Sequence, residues 1–316
     1  MYYAGIDLGG TNIAVGIVDE NGTMIGSKST PTRSERDFRE IVKDMADLVK
    51  EIADTVGIPL KDVVAAGIGC PGSIDSVNGV CEYANNLNMC HADLAGEFKK
   101  HIDIPVYVEN DANAAALGEY EINAKGSKSF VFVTLGTGVG GGVIINGEIF
   151  RGFNGVGAEP GHTVINIDGE PCTCGRKGCW EAYASVTALI RQTKEAMEKH
   201  KDSLMHEIVE KEGKISGKTS FLAAKQGDKY ATAVVTKYFE YIAEGITNLV
   251  NVFQPEKLVI GGSISKEGDY LLNPVREFVQ KNDYNKYMPK TKIEIAKLFG
   301  DAGIIGAAIA ARNATK

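Results

Sequence analysis

The chain has 316 residues, 44% hydrophobic and 24% charged, a globular composition with room for one large or two ordinary domains. A formal net charge of −7 argues against a general nucleic-acid surface. The opening MYYAGIDLGG lacks a basic stretch followed by an apolar one, and no apolar run approaches the roughly 20 residues that span a bilayer, so the expectation is a cytoplasmic protein without a membrane partner.

Tyr2 to Asp7 reads as a strand running into the glycine-rich turn Asp7-Leu-Gly-Gly-Thr-Asn12. Ile13 to Asp19 follows as a second strand, Asn21-Gly22 as a hairpin turn, and a third strand leads to Thr30. Gly9 and Gly10 let the backbone come close to a ligand, and the exposed N–H groups of such a turn suit phosphate. No Gly-Lys-Ser/Thr follows, so this is not a Walker loop, and a strand stands where a dinucleotide fingerprint needs a helix. Asp37 to Val56 has helical spacing, with Phe38, Ile41, Met45, Leu48, Val49, Ile52 and Val56 as core. Val63 to Gly69 is a buried strand ending in the turn Cys70-Pro-Gly72, and a loosely structured loop then carries Asn85 and Asn86. A helix over Leu94–His101 precedes the strand Val106–Glu109.

Asp111, in Glu109-Asn-Asp111-Ala-Asn-Ala-Ala-Ala116, lies between that strand and an alanine-rich helix. Asp caps helices well, and it is also the residue type for a general base at a strand end; of two neighbours, one can cap while the other faces a ligand. Phe130 to Leu135 is a strand leading to a second glycine turn, Gly136-Thr-Gly-Val-Gly-Gly-Gly142, with a return strand and the hairpin Asn146-Gly147. Ile6 to Thr11 is thus echoed by Val133 to Gly138, in architecture as well as letters, which suggests two similar lobes that each offer a phosphate-binding hairpin to a shared cleft.

Between Glu159 and Glu181 lie His162, Cys172, Cys174 and Cys179, a complete tetrahedral ligand set for zinc with no position open for a catalytic water. Disulfide pairing would leave His162 unexplained. A closed, structural zinc would pin a loop carrying Glu159 and Glu181, and carboxylates held firmly suit a polyhydroxylated ligand. Cys70, Cys81 and Cys90 read as reduced bystanders. Glu181 to Lys199 reads as one long helix, 201–218 as a charged segment of undetermined structure that would be exposed if helical, Thr219–Lys225 as a short helix and Ala233–Phe253 as a strongly apolar one. Leu258 to Ser263 is a strand into Gly261 and Gly262, where a flat base could approach the backbone. A helix over Leu271–Gln280 and a strand over Lys292–Ala296 come next. The small-residue helix from Asp301 can pack very closely.

Two glycine hairpins, a strand-end aspartate and a braced pair of carboxylates add up to phosphoryl transfer from a nucleotide to a sugar hydroxyl, which needs mainly positioning and electrostatics. On the motifs Asp7–Asn12, Glu109–Asn113, Gly136–Gly140, Glu159-Pro-Gly-His162 and Cys172-x-Cys-Gly-x-x-Gly-Cys-x-Glu181, the whole chain resembles the ROK-family sugar kinases of the actin/hexokinase/heat-shock-70 ATPase superfamily. Within that family it is most similar to bacterial glucokinases, with Trp180 where leucine is more often found.

The resemblance implies an α/β fold of two ribonuclease-H-like, actin-like lobes with a cleft between them and the zinc-braced loop in the larger lobe. Residues 1–117 with the C-terminal helix 301–316 would form the small lobe and 118–300 the large one. It implies ATP-dependent phosphorylation of a hexose 6-hydroxyl, D-glucose foremost, with Asp111 as the base. Asn110 would hold ring hydroxyls, Glu159, His162 and Glu181 those near C1 and C2, and Gly72 and Asn85 would line the sugar pocket. Asp7 would sit near Mg²⁺. Gly9, Gly10, Thr11, Asn12, Thr137 and Gly138 would meet the phosphates, and Gly261 and Gly262 the adenosine. The zinc ligands would be His162, Cys172, Cys174 and Cys179, with the second nitrogen of His162 turned to sugar. Trp180, between a zinc ligand and a sugar-binding acid, would sense sugar through its fluorescence. A homodimer or homotetramer is implied. Alternatives are N-acetylmannosamine, N-acetylglucosamine, fructose or mannose as acceptor, a donor such as polyphosphate, and a sugar-sensing, non-catalytic regulator. Such regulators carry a helix-turn-helix domain ahead of the kinase-like body, and Asp7 stands too early for one.

Overall fold

Strands β1 (Tyr2–Leu8), β2 (Asn12–Asp19) and β3 (Met24–Pro31) form the antiparallel meander that the Asn21-Gly22 turn predicts. The structure is a computed structural model and describes residues 1–315. Helix α1 (Phe38–Val56) starts at Asp37, whose carboxylate accepts from the Arg39 amide, and stops at Gly57 in the left-handed region. Of its expected stripe Ile41, Met45, Leu48, Val49 and Ile52 are buried, whereas Phe38 and Val56, at the two ends of the helix, are half-buried at the edge of the core. β4 (Val63–Cys70) then pairs in parallel with β1.

The segment expected as a loose loop is instead a three-stranded antiparallel sheet of β5 (Ser73–Asp75), β6 (Val80–Ala84) and β7 (Met89–Asp93). Strands of three to five residues are too short to show a period. The turn between the first two is built by Asp75, whose carboxylate accepts from the amides of Val77 and Asn78. Helix α2 (Leu94–Lys99) leads to β8 (Val106–Asn110), parallel to β4, and β8 runs directly into α3 (Asp111–Asn123). The resulting sheet has the order β3-β2-β1-β4-β8.

The second glycine turn joins β9 (Ser129–Leu135) to β10 (Val139–Ile145). Asn146 and Gly147, both at positive φ, turn β10 into β11 (Glu148–Ile149). The predicted helix from Glu181 to Lys199 is two: α4 (Glu181–Ala184) and α5 (Val186–Lys199). Ser185 separates them because its extended backbone and its hydroxyl, which accepts from the Ala188 amide, make it the cap of α5. Within 201–218 lies α6 (Met205–Glu212), with Met205 and Ile208 buried beside Met197, Ala223 and Ala231. Then come α7 (Thr219–Lys225), α8 (Lys229–Phe253), β12 (Lys257–Gly261), α9 (Asp269–Asn282) and β13 (Lys292–Ile295). The second sheet has the order β11-β10-β9-β12-β13. Its plan is that of the first sheet, a three-strand meander followed by two further strands, so the short sequence echo is an echo of topology.

Two compact units result: Met1–Phe132, Gly142–Ala158 and the chain from Lys297 in one, and Val133–Gly141 with Glu159–Ala296 in the other. The first is closed by α10 (Ala302–Ala314), which packs on β1, β4 and α3. A Cβ on Gly5 would lie 1.9 Å from the Ile304 carbonyl oxygen, and one on Gly67 would lie 1.9 Å from that of Ala307. Helix and sheet backbones therefore touch directly, as the small residues of α10 suggest.

Candidate active site and metal centre

In the first unit the junction of β8 and α3 decides which side chain caps the helix. Asn110 does: its Oδ1 accepts from the amides of Ala112 at 2.9 Å and Asn113 at 3.2 Å. Asp111 is thereby left at the first helical position, with Oδ1 accepting from its neighbour Ala112. Burial pushes the Asp111 carboxyl above the ordinary carboxylate range. Asp7, at the end of β1, is pushed up to about 6, first by burial and then by the charge of Asp111. Two half-buried carboxylates that resist joint ionisation have the chemistry a cation would relieve, so the residues fit the Mg²⁺ that the family resemblance implies.

Gly72 and Asn110 meet, the Asn110 amide donating to the Gly72 carbonyl at 3.3 Å. Gly72 has φ +98°, and a Cβ there would lie 2.1 Å from the Tyr83 carbonyl oxygen, so no other residue fits. Asn85 opens a 3₁₀ turn after β6, with its Oδ1 accepting from the Tyr83 hydroxyl. The following Asn86 covers Gly10, where an added Cβ would sit 3.3 Å from both its side chain and its carbonyl. In the turn itself the Gly9 amide donates to Asn12 O at 2.9 Å, while the side chains of Thr11 and Asn12 are exposed.

Two residues without a predicted role hold this region in place. Buried Thr32 donates its hydroxyl to Gly9 O at 2.6 Å and its amide to Thr11 O at 2.9 Å, locking the glycine turn. Buried Glu109 accepts from the Asn110 amide at 3.0 Å and the Asn113 side chain at 3.1 Å. Glu109 lies inside the Glu109–Asn113 motif, which could have pointed to it. Thr32 carries no signal, since a threonine at a strand end is ordinary.

In the second unit the glycine turn is stapled to the start of α5. Val186 N donates to Gly136 O and the Thr187 hydroxyl to Thr137 O, both at 2.8 Å. Glu181 Oε2 accepts from Val139 N at 2.9 Å, and a Cβ on Gly138 would lie 2.3 Å from that oxygen. One carboxylate thus braces the phosphate-type turn, and its other oxygen lies 3.9 Å from Cys172 Sγ. Thr137, Gly138, Cys172, Glu181, Ser185 and Arg191 share the wall of a cavity of about 540 Å³.

The predicted metal ligands converge. The donor atoms of His162, Cys172, Cys174 and Cys179 all lie within 4.8 Å of one another. Cys172 Sγ is 3.6 Å from His162 Nδ1, and Cys174 Sγ is 3.6 Å from Cys179 Sγ. Ligands about 2.0–2.3 Å from a tetrahedral zinc are spaced by roughly this much, so the set fits zinc. No cysteine is in a disulfide among the described residues. Burial, and then the neighbouring thiols, push Cys179 up to about 12, and a bound cation would offset both by favouring the thiolate. Glu159 is exposed at the start of the 3₁₀ turn Pro160–His162, its carbonyl accepting from the His162 amide.

Gly261 is the buried end of β12. Gly262, at φ +81°, is a glycine because a Cβ there would lie 2.3 Å from the Leu135 carbonyl. Trp180 is fully buried, its indole N–H donating to Tyr241 O at 2.8 Å and its ring lying over Gly245 of α8. It is a core anchor for the knot and does not face the loop's polar side, so the basis for expecting a sugar-sensitive fluorescence falls away.

Two sheets of one strand order, each led by a glycine hairpin, define the actin/hexokinase class of α/β folds. The chain belongs to the ROK family, whose profile it matches over residues 3–314. It is 37% identical over 306 residues to the glucokinase of Thermotoga maritima, covering 96% of this chain and 95% of that one. The ROK family glucokinase from Streptomyces griseus, solved in complex with glucose and AMPPNP, superposes with a TM-score of 0.85 at 34% identity, covering 99% of this chain and all of that one. The xylose repressor of Caldicellulosiruptor bescii is 30% identical over 303 residues, 96% of this chain but 76% of the repressor. No helix among the described residues is long and apolar enough to cross a membrane.

Proposed function

We propose that this protein transfers the γ-phosphoryl group of ATP to the 6-hydroxyl of D-glucose, with Asp111 as general base. The broader statement, a sugar kinase of the hexokinase type, rests on full-length similarity to glucokinases and to a glucokinase structure holding glucose and a nucleotide analogue. One observation carries the assignment of the base: Asn110 takes over the helix cap, so the half-buried Asp111 carboxylate is not committed to it. Asp111 accepts the proton of the sugar hydroxyl as that oxygen bonds to the γ-phosphorus, and the bond from phosphorus to the β-bridging oxygen breaks to release ADP. The sequence suggests a base of ordinary carboxylate strength. Burial makes it stronger, bringing its proton affinity nearer the working pH.

In this proposal Asn110, Gly72 and Asn85 hold ring hydroxyls, and Glu159, Glu181 and the second nitrogen of His162 hold those near C1 and C2. Gly9, Gly10, Thr11, Asn12, Thr137 and Gly138 meet phosphates, and Gly261 and Gly262 the adenosine. Asp7 would hold Mg²⁺, which when bound neutralises charge on the transferring phosphates. Zinc would fix the tautomer and direction of His162 through Nδ1 and take no part in the chemistry.

The test is ADP release from Mg-ATP with glucose, mannose, fructose, N-acetylglucosamine and N-acetylmannosamine. Preference for glucose supports the proposal. Preference for an N-acetyl sugar or fructose replaces the acceptor and keeps the class. No turnover by zinc-loaded protein that still binds a sugar points to the regulator reading, which the repressor relative keeps in view.

A further inference from the structure

Arg151 follows β11 in the first unit, outside every motif of the sequence. Its Nε donates to Glu109 Oε2 at 2.7 Å, and its Nη2 lies 2.6 Å from the same oxygen. The Glu109 side chain is only 5% exposed. Its other oxygen is spent on the Asn110 amide and the Asn113 side chain. The whole carboxylate is thus used: one oxygen orders the β8–α3 junction, the other takes the guanidinium. The same arginine closes a loop, since its carbonyl accepts from Gly157 N at 2.8 Å. Gly152 and Gly155 in that loop have positive φ, and a Cβ on Gly157 would lie 2.9 Å from Arg151 O, so the loop is tightly wound on its anchor.

We propose that Arg151 is a positioning residue for the phosphoryl acceptor: its contact with Glu109 fixes the strand-to-helix junction that presents Asn110 and Asp111. The proposal rests on the assignment of Asp111 as base. Nothing in it requires Arg151 to touch substrate. A buried carboxylate that loses its cation must take up a proton, draw in water or move, and each of these disturbs the Asn110 amide and Asn113 side chain that hold the junction. Small misplacements of reacting groups cost on the order of 100-fold in rate. Lysine in place of arginine keeps the charge and loses the second N–H, so it restores only part of the function.

The experiment compares wild type, Arg151→Ala, Arg151→Lys, Glu109→Gln and the double variant Arg151→Ala/Glu109→Gln in steady-state hexose phosphorylation, with KM for ATP measured separately. Arg151→Ala is expected to lower kcat/KM for hexose about 100-fold with KM for ATP within about threefold of wild type. The double variant is expected to recover at least about tenfold over Arg151→Ala, because Glu109→Gln keeps an acceptor for the junction and leaves no orphan charge. A general loss of folding would lower the apparent kcat and leave both KM values unchanged, so rates are referred to the folded fraction measured by circular dichroism, and a loss that disappears on that correction would overturn the proposal. Kinetics of Arg151→Ala within about threefold of wild type would overturn the proposal, as would a double variant no better than the single one. Wild type inactive with every hexose overturns the kinase assignment and this inference with it, whereas active wild type with an indifferent Arg151→Ala overturns this inference alone.

Discussion

Asp7 is a carboxylate the fold holds against its own preference, and Asp7→Asn should make the metal-free protein more stable. Its pKa rises from 3.8 to about 6, so the folded state binds this proton more tightly than the unfolded chain does. The favourable contribution of the protonated group is complete below about pH 3.8 and is lost as pH rises through about 6. Above that pH the ionised group costs the fold about 3 kcal/mol, taking 1.36 kcal/mol per unit of pKa. Asparagine is nearly isosteric and carries no charge. The expected difference between variant and wild type is near zero below pH 4 and grows to about 3 kcal/mol at pH 8, or roughly 5 °C in a thermal midpoint. Magnesium should narrow the gap by stabilising wild type only. Calorimetry and amide exchange of β1 are the assays, because the single tryptophan lies in the other unit and its emission would report on the wrong part. Equal stability of the two proteins from pH 4 to pH 8 would show that Asp7 is not held in a charge-averse site, and would remove the argument for a cation there.

The partner of Asp7 should behave differently. Asp111→Asn is expected to retain zinc and sugar affinity while kcat falls by about 10²–10⁴, the usual range for a lost general base; single-turnover quench-flow with more than a tenth of wild-type rate would refute the role. Cys172→Ser should reduce zinc per chain, measured by elemental analysis, and raise KM for hexose at least about tenfold, through the loosened knot next to Glu181; full zinc occupancy would remove Cys172 from the ligand set. Gly67→Ala places a Cβ 1.9 Å from a helix carbonyl and should lower stability by about 3 kcal/mol or more in urea titration; an unchanged midpoint would mean that α10 can lift from the sheet at little cost.

Much of the architecture is legible in the sequence because its signals are local. Asn21-Gly22 and Asn146-Gly147 announce hairpins, the stripe of α1 announces a helix, and His162 with three cysteines announces one cluster. The elements that escape such reading depend on length or on a single hydroxyl. β5, β6 and β7 are too short to show alternation, and Ser185 breaks an apparently continuous helical pattern because its side chain caps α5. Trp180 shows the limit of inferring position from sequence neighbours: it stands between Cys179 and Glu181, yet the helical turn it begins sends its ring into the core. Thr32 and Arg151 act through contacts 23 and 42 residues away along the chain, and nothing in their own surroundings marks them.

The seating of α10 on Gly5 and Gly67 has a consequence for how the polypeptide is made. The sheet that begins with residue 2 cannot complete its packing until residues 302–314 have left the ribosome. At ordinary elongation rates that delay is on the order of tens of seconds, far longer than helix or hairpin formation. The intervening unit, Glu159 to Ala296, is synthesised meanwhile and can settle first, so birth order and folding order run opposite ways for the two ends of this chain. During that interval the apolar faces of β1 and β4 lack the helix that covers them in the finished fold.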